Sequence, residues 1–160
     1  MKDYFIEPNI YLKFMKNDNQ IIRDYIIKIH KHHNIIDTIT QIENIYDFKI
    51  NNNSLFWTIV YKDRIIGFFN FIKREQLIDN TLELQRFYID EEYRNLRLGS
   101  KVMSKIKEIA KDMKYSGLSL KVYCNNPAVN FYCKNGFNTY YRYMYTKLQM
   151  IFYSFFLFRR

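Results

Sequence analysis

Glycine is scarce in this chain, with four in 160 residues, and proline and cysteine occur twice each. So few flexible or rigid breakers leave no Pro/Gly/Ser-rich linker, no low-complexity tract and no internal repeat. The two cysteines, Cys124 and Cys133, show no CxxC spacing, so a disulfide framework is excluded and a reduced, intracellular protein is expected. No run reaches the ~20 apolar residues of a membrane-spanning helix. The opening stretch "MKDYFIEPN" has no apolar core of the kind a signal peptide needs, which makes the cytoplasm the expected location.

What is present suits a folded domain. Apolar residues make up 48% of the chain, enough for a core without staples. The wealth of Ile, Asn, Lys and Tyr is what an AT-rich genome produces and carries no functional reading. The net charge of +9 is unevenly placed. Residues 1–80 hold 11 Lys/Arg against 10 Asp/Glu, whereas residues 81–160 hold 14 against 6. An anionic ligand is therefore expected on the second half.

Periodicity supplies the elements. "NDNQIIRDYIIKIHKH" reads as a helix, with Asp18 as its N-cap and Ile21, Ile22, Tyr25, Ile26 and Ile29 at helical spacing. Ile35, Ile36, Ile39 and Ile42 suggest a second, weaker helix. "SLFWTIVY" and "RIIGFFNFI" read as a hairpin turning at Lys62-Asp63, and "TLELQRFYI" as a third strand. "LGSKVMSKIKEIAKDMK" is the clearest helix, with Leu98, Val102, Ile106, Ile109 and Met113 on one stripe. "GLSLKVY" is a strand, "PAVNFYCKN" a short helix, and "GFNTYYRYMYTKL" a final strand or pair. Helices gather early and strands mix with helices later, which gives an α/β or α+β domain with a mixed sheet.

Two stretches carry chemistry. In "DEEYRNLRLGS" a strand passes through a basic turn into a helix, whose first backbone N–H groups and dipole favour phosphate. Gly99 removes a side chain where a ligand would come close, and Arg94 and Arg97 add charge. "VYCNNPAVNFYCKNGF" then joins a strand end, an asparagine, a short helix and a tyrosine. Taken together, with Arg94, Gly99, Asn125, Ala128, Phe131, Tyr132, Gly136 and Phe137 in this order and spacing, residues 55–148 resemble the GNAT-type N-acetyltransferases. Arg97 stands where that family usually has glycine; a side chain pointing away is tolerable there, and it adds a cation.

The resemblance implies a mostly antiparallel central sheet flanked by helices, with a splayed pair of parallel strands forming an acyl-CoA cleft. It implies one acetyltransferase domain over residues 1–148, followed by an apolar C-terminal extension over 149–160. Acetyl-CoA is the implied cosubstrate and no metal is required. Backbone groups of Tyr88 and Ile89 would hold the pantetheine arm. Arg94, Asn95, Leu96, Arg97, Leu98, Gly99 and Ser100 would hold the pyrophosphate, and Asn125 would bond the pantetheine or help fix the following helix. Tyr132 stands at the family's tyrosine position as general acid. Glu83, eleven residues before Arg94, stands at the position of the general base found in some members. The implied reaction is direct attack of a primary amine on the thioester in a ternary complex, the acceptor being a small molecule or a peptide.

Other readings attach to the same residues. His30, His32 and His33 form "HKHH", a solvated helix end rather than a metal site, since no Cys or acidic cluster accompanies it. The apolar run Met150 to Phe158 is too short to span a membrane and is expected to pack on the sheet or on a second subunit, which keeps a homodimer open. The rival functions are a catalytically weak acyl-CoA sensor of the same fold and a nucleic-acid-binding module. The second is disfavoured because the aromatics alternate with aliphatics as core strands do.

Overall fold

The computed structural model describes residues 1–15, 19–32, 54–73, 80–94, 96–145 and 148–156. Asp18, His33 and the stretch 35–42 lie outside them. The chain divides into two compact units, Met1–Asn70 with Arg86–Tyr93, and Phe71–Gln85 with Arg94–Arg160.

The first unit begins with strands, not with the helix the sequence suggested. β1 (Tyr4–Glu7) and β2 (Ile10–Met15) form an antiparallel hairpin. Helix α1 (Asn19–His32) follows, then β3 (Ser54–Tyr61) and β4 (Arg64–Ile72). β2 pairs antiparallel with β3 from Ile10↔Tyr61 to Met15↔Phe56. The hairpin apex Lys62-Asp63 has φ values of 47° and 60°, the two positive angles of a type I′ turn. With the end of β5 (Thr81–Ile89), the strand order of this unit is β1-β2-β3-β4-β5.

β3 and β4 are buried along nearly their whole length, which is why they read as continuous apolar runs without alternation. On one face Ile22, Phe56, Phe68 and Tyr88 form a cluster, with Met15 and Tyr25 against it. Trp57 and Phe69, both fully buried, stack at 5.2 Å between ring centroids. α1 is fixed by more than apolar contact. The Tyr25 hydroxyl donates to the Ile65 carbonyl at 3.1 Å, and the Lys28 ammonium meets the Asp90 carboxylate at 2.7 Å. Burial and the Asp90 charge raise the Tyr25 pKa, and the Asp90 hydrogen bond raises that of Lys28.

The second unit holds the start of β5, α2 (Leu98–Asp112), β6 (Gly117–Tyr123), α3 (Ala128–Lys134), β7 (Asn138–Tyr145) and β8 (Leu148–Phe156). Its strand order is β5-β6-β8-β7. β6 runs parallel to β5 over Thr81↔Gly117, Leu82↔Leu118 and Glu83↔Ser119. β8 pairs antiparallel with β6 along its length, from Gly117↔Phe156 to Tyr123↔Met150, and with β7 on its other side. Met150–Phe156, the apolar stretch read from sequence as an extension, is thus strand backbone between two neighbours.

α2 buries the expected stripe of Leu98, Val102, Ile106 and Ile109, together with Met103 and Ala110. Burying this face contributes roughly 1.5–3 kcal/mol for each large side chain. The helix stops where Lys114 enters the left-handed region at φ 67° and Tyr115 N–H reaches back to the Ala110 carbonyl. Both α2 and α3 pack on β6. The fold class is therefore the expected mixed α/β arrangement, with one parallel strand pair in a sheet whose other described ladders are antiparallel.

Candidate active site

The implied site residues are distributed over both units. Tyr88 and Ile89 close β5 in the first unit; Glu83, the Arg94–Ser100 segment, Asn125 and Tyr132 lie in the second. Asn95 lies outside the described residues.

The parallel ladder explains why β5 matters. It covers three residue pairs and reaches only Glu83↔Ser119. At its root the Thr81 and Ser119 hydroxyls, both buried, are 3.4 Å apart. Glu83 is the last β5 residue in that ladder, half-buried between the buried Leu82 and Leu84, as strand alternation requires. Its carboxylate lies 3.8 Å from the Lys121 ammonium of β6. Farther along, Tyr88 and Ile89 are both buried, so alternation breaks at the end of the strand.

The turn into α2 has the features an anion needs. Arg97 caps the helix in the left-handed region, at φ 57° and ψ 9°, without a side-chain hydrogen bond to the first turn. A left-handed residue followed by helical ones directs successive N–H groups into one concavity. Within the helix the first return bond comes from Lys101 N–H to the Arg97 carbonyl, so the N–H groups of Leu98, Gly99 and Ser100 have no acceptor in α2 itself. Leu98 is anchored in the core at 5% exposure, while Leu96 and Arg97 are exposed. The left-handed angle also explains the family's preference for glycine at this place: the torsion is costly for a residue with a Cβ.

After β6, Asn125 is exposed in the turn and Asn126 does the structural work. Its side-chain oxygen accepts the Ala128 N–H at 2.8 Å, and its carbonyl accepts the Val129 N–H. Fixing the start of α3 therefore falls to Asn126, which sequence reading passed over; the signal was an Asn two residues before the first helical position. Tyr132 sits in α3 against Phe131 and Phe137, with ring centroids 5.5 and 5.7 Å away. Desolvation pushes its hydroxyl up to about 12. Its backbone carbonyl accepts N–H bonds from Asn135 and Phe137. Lys107 of α2, also unremarked in the sequence, braces this corner: its ammonium donates to the Asn135 carbonyl and lies 5.7 Å from the Phe137 ring centroid. Burial lowers its pKa.

Cys133 is exposed and Cys124 half-buried, both as free thiols. Among the described residues no group of three or more His, Cys, Asp or Glu is placed to hold a metal ion, and no helix is long and apolar enough to cross a membrane.

The family model for the Acetyltransferase (GNAT) family matches residues 20–137. Solved structures share the fold. An acetyltransferase of the GNAT family from Staphylococcus aureus Mu50 is 24% identical with a TM-score of 0.69, over 92% of this chain and 99% of that one. A GNAT family acetyltransferase from Elizabethkingia anophelis with acetyl-CoA bound is 16% identical with a TM-score of 0.67, over 94% and 100%. The Bacillus subtilis acetyltransferase in complex with CoA is 14% identical with a TM-score of 0.68, over 92% and 98%. No curated protein sequence matches the chain. The family match takes in most of the chain and both stretches singled out for chemistry, so the chain belongs to the GNAT acetyltransferase family, whose enzymes use acetyl-CoA as cosubstrate.

Proposed function

We propose that this protein transfers the acetyl group of acetyl-CoA to a primary amine by direct attack in a ternary complex. The observation that carries the reading is the N-terminus of α2, where left-handed Arg97 opens a 15-residue helix without a side-chain cap. That arrangement fits a pyrophosphate: its donors are backbone N–H groups, the helix dipole adds partial positive charge, and Arg94, Arg97 and Lys101 supply cations. Arg94, Asn95, Leu96, Arg97, Leu98, Gly99 and Ser100 hold the diphosphate in this reading. Backbone groups of Tyr88 and Ile89 hold the pantetheine arm, and Asn125 contacts it from the turn after β6. The bound thioester supplies an activated acetyl group.

The chain's own residues then handle two protons, and the further proton that the attacking nitrogen sheds as the amide forms replaces the one Tyr132 gives up. Glu83 accepts one from the acceptor ammonium, so that the amine becomes nucleophilic. Tyr132 donates its hydroxyl proton toward the departing sulfur. With its pKa pushed up to about 12, the phenol stays protonated across the neutral range, as an acid must. A thiol of ordinary pKa, about 8.5, would be a poor acceptor for so weak an acid. The desolvation that lifts the phenol also lifts a thiol beside it, which narrows the gap. Proton transfer therefore accompanies C–S cleavage rather than preceding it. The acceptor belongs to the class of primary amines, on a small molecule or a peptide.

Tyr132→Phe tests the acid. It keeps the ring contacts and removes only the hydroxyl, so kcat should fall by ~100- to 10,000-fold while acetyl-CoA affinity stays within about twofold. Wild-type kcat for this variant, in an assay limited by chemistry, would leave Tyr132 as packing alone. Glu83→Gln should lower the rate at neutral pH and recover at high pH, where more acceptor is already deprotonated. A loss that is flat with pH would assign Glu83 to its contact with Lys121 instead. Over the same pH series wild-type kcat should show no alkaline decline across the neutral range, because the Tyr132 hydroxyl is still protonated there.

A further inference from the structure

Gly67, in the middle of β4, is not part of any motif, yet it faces the most severe steric constraint described. A Cβ built on it would lie 2.2 Å from the Tyr88 carbonyl oxygen, 3.0 Å from Ile89 Cα and 3.1 Å from the Tyr88 carbonyl carbon. All three atoms are backbone of β5, which no side-chain rotation can move aside. The Tyr88 carbonyl is thus aimed across the face of Gly67 where any other residue would carry its side chain. Two residues farther on, the Asp90 N–H donates to the Ile66 carbonyl at 2.8 Å, which holds β5 against β4 beside this crossing. The 88–89 peptide is trans, so its N–H points opposite to its C=O. With the Tyr88 carbonyl directed at Gly67, the Ile89 N–H is directed away from β4.

We propose that Gly67 is a positioning residue for the acyl-CoA: its missing side chain gives the Tyr88 carbonyl its place and so turns the Ile89 N–H into the orientation that bonds the cofactor arm. The inference rests on the reading that Tyr88 and Ile89 contact acetyl-CoA, and it adds the residue that sets their direction. A Cβ at position 67 must push the carbonyl aside and rotate the 88–89 peptide with it.

The sequence offers a selective probe. Tyr is followed directly by Ile only twice, at Tyr25-Ile26 and Tyr88-Ile89. Protein labelled with carbonyl-13C tyrosine and 15N isoleucine therefore gives two carbonyl–amide correlations, one from the site and one reference from α1. Adding acetyl-CoA to the wild type should shift the Tyr88-Ile89 signal and leave the reference in place. Gly67→Ala should move the site signal without ligand and weaken acetyl-CoA binding by about tenfold or more, about 1.4 kcal/mol. Ile59→Val, a buried change on neighbouring β3, should leave both signals and the affinity unchanged. A folded Gly67→Ala protein with wild-type affinity or an unmoved site signal overturns the inference. If that variant does not fold, the wild-type titration still tests it: a site signal unaffected by saturating acetyl-CoA overturns it. A wild type that binds no acetyl-CoA at all removes the cofactor reading itself, which is a separate result.

Discussion

Gly67 and Arg97 stand in different units, each at a place where glycine would be expected, and only Gly67 is one. At Gly67 the constraint is steric, from backbone atoms of a neighbouring strand. At Arg97 it is torsional, a φ of 57° with the side chain exposed to solvent. A torsional penalty is bounded at roughly 1–2 kcal/mol. A backbone clash near 2 Å has no such bound, because relief requires moving the partner strand. A chain with four glycines keeps one where the constraint is absolute. Of the six positive-φ positions among the described residues, Gly136 takes one, at φ 82°, and Lys62, Asp63, Asn80, Arg97 and Lys114 take the other five. The family's glycine at the turn into α2 is therefore a preference that an arginine can override, and the override adds a cation beside the proposed diphosphate site.

Three variants would break or sharpen this contrast. Gly67→Ala should have the largest effect on stability, a loss of at least ~1–3 kcal/mol as for other overpacked sites, read from the urea midpoint. A loss below half a kcal/mol would show that the two strands separate easily, and the distinction between clash and torsion would collapse. Replacing the β3–β4 apex with Lys62→Asn and Asp63→Gly removes strain at two positive φ angles in a turn type that favours Asn-Gly. A gain of about 1 kcal/mol is expected, within the range of such turn repairs. Arg97→Gly should change least: relief of ~1–2 kcal/mol of torsion is offset by ~0.5–1 kcal/mol of backbone entropy, so the midpoint should rise slightly. Its acetyl-CoA affinity should fall only modestly, since backbone donors remain. A large fall in stability on Arg97→Gly would mean that the arginine side chain holds the turn.

The legible parts of the molecule were those whose own periodicity matches their burial. α2 was readable because a single helical stripe meets one packing surface. The Lys62-Asp63 turn was readable because two dense apolar runs flank two polar residues. The β1–β2 hairpin was not, because its strands are four and six residues long and Tyr4, Lys13 and Glu7 dilute the pattern. The order and spacing of Arg94, Gly99, Asn125 and Tyr132 pointed to the family, since those positions share a local strand–turn–helix frame. The parts that stayed hidden depend on partners distant in sequence. Gly67 matters only because β5 crosses it, and Lys107 only because Asn135 and Phe137 lie beneath it.

The position of β8 between β6 and β7 has a consequence for how the chain is made. β6 is joined to its neighbour β8 only through α3 and β7, whereas β7 and β8 are adjacent in sequence. A hairpin such as β7–β8 closes within about 1–10 μs once it exists. During synthesis at ~5–20 residues per second, however, β6 waits on the order of seconds for Met150–Phe156 to emerge. Through that interval its apolar edge, Leu118 to Val122, lacks the strand that will cover it. The interval is set by translation rather than by intrinsic folding speed, so conditions that slow elongation would lengthen the time this edge is available to other nascent chains.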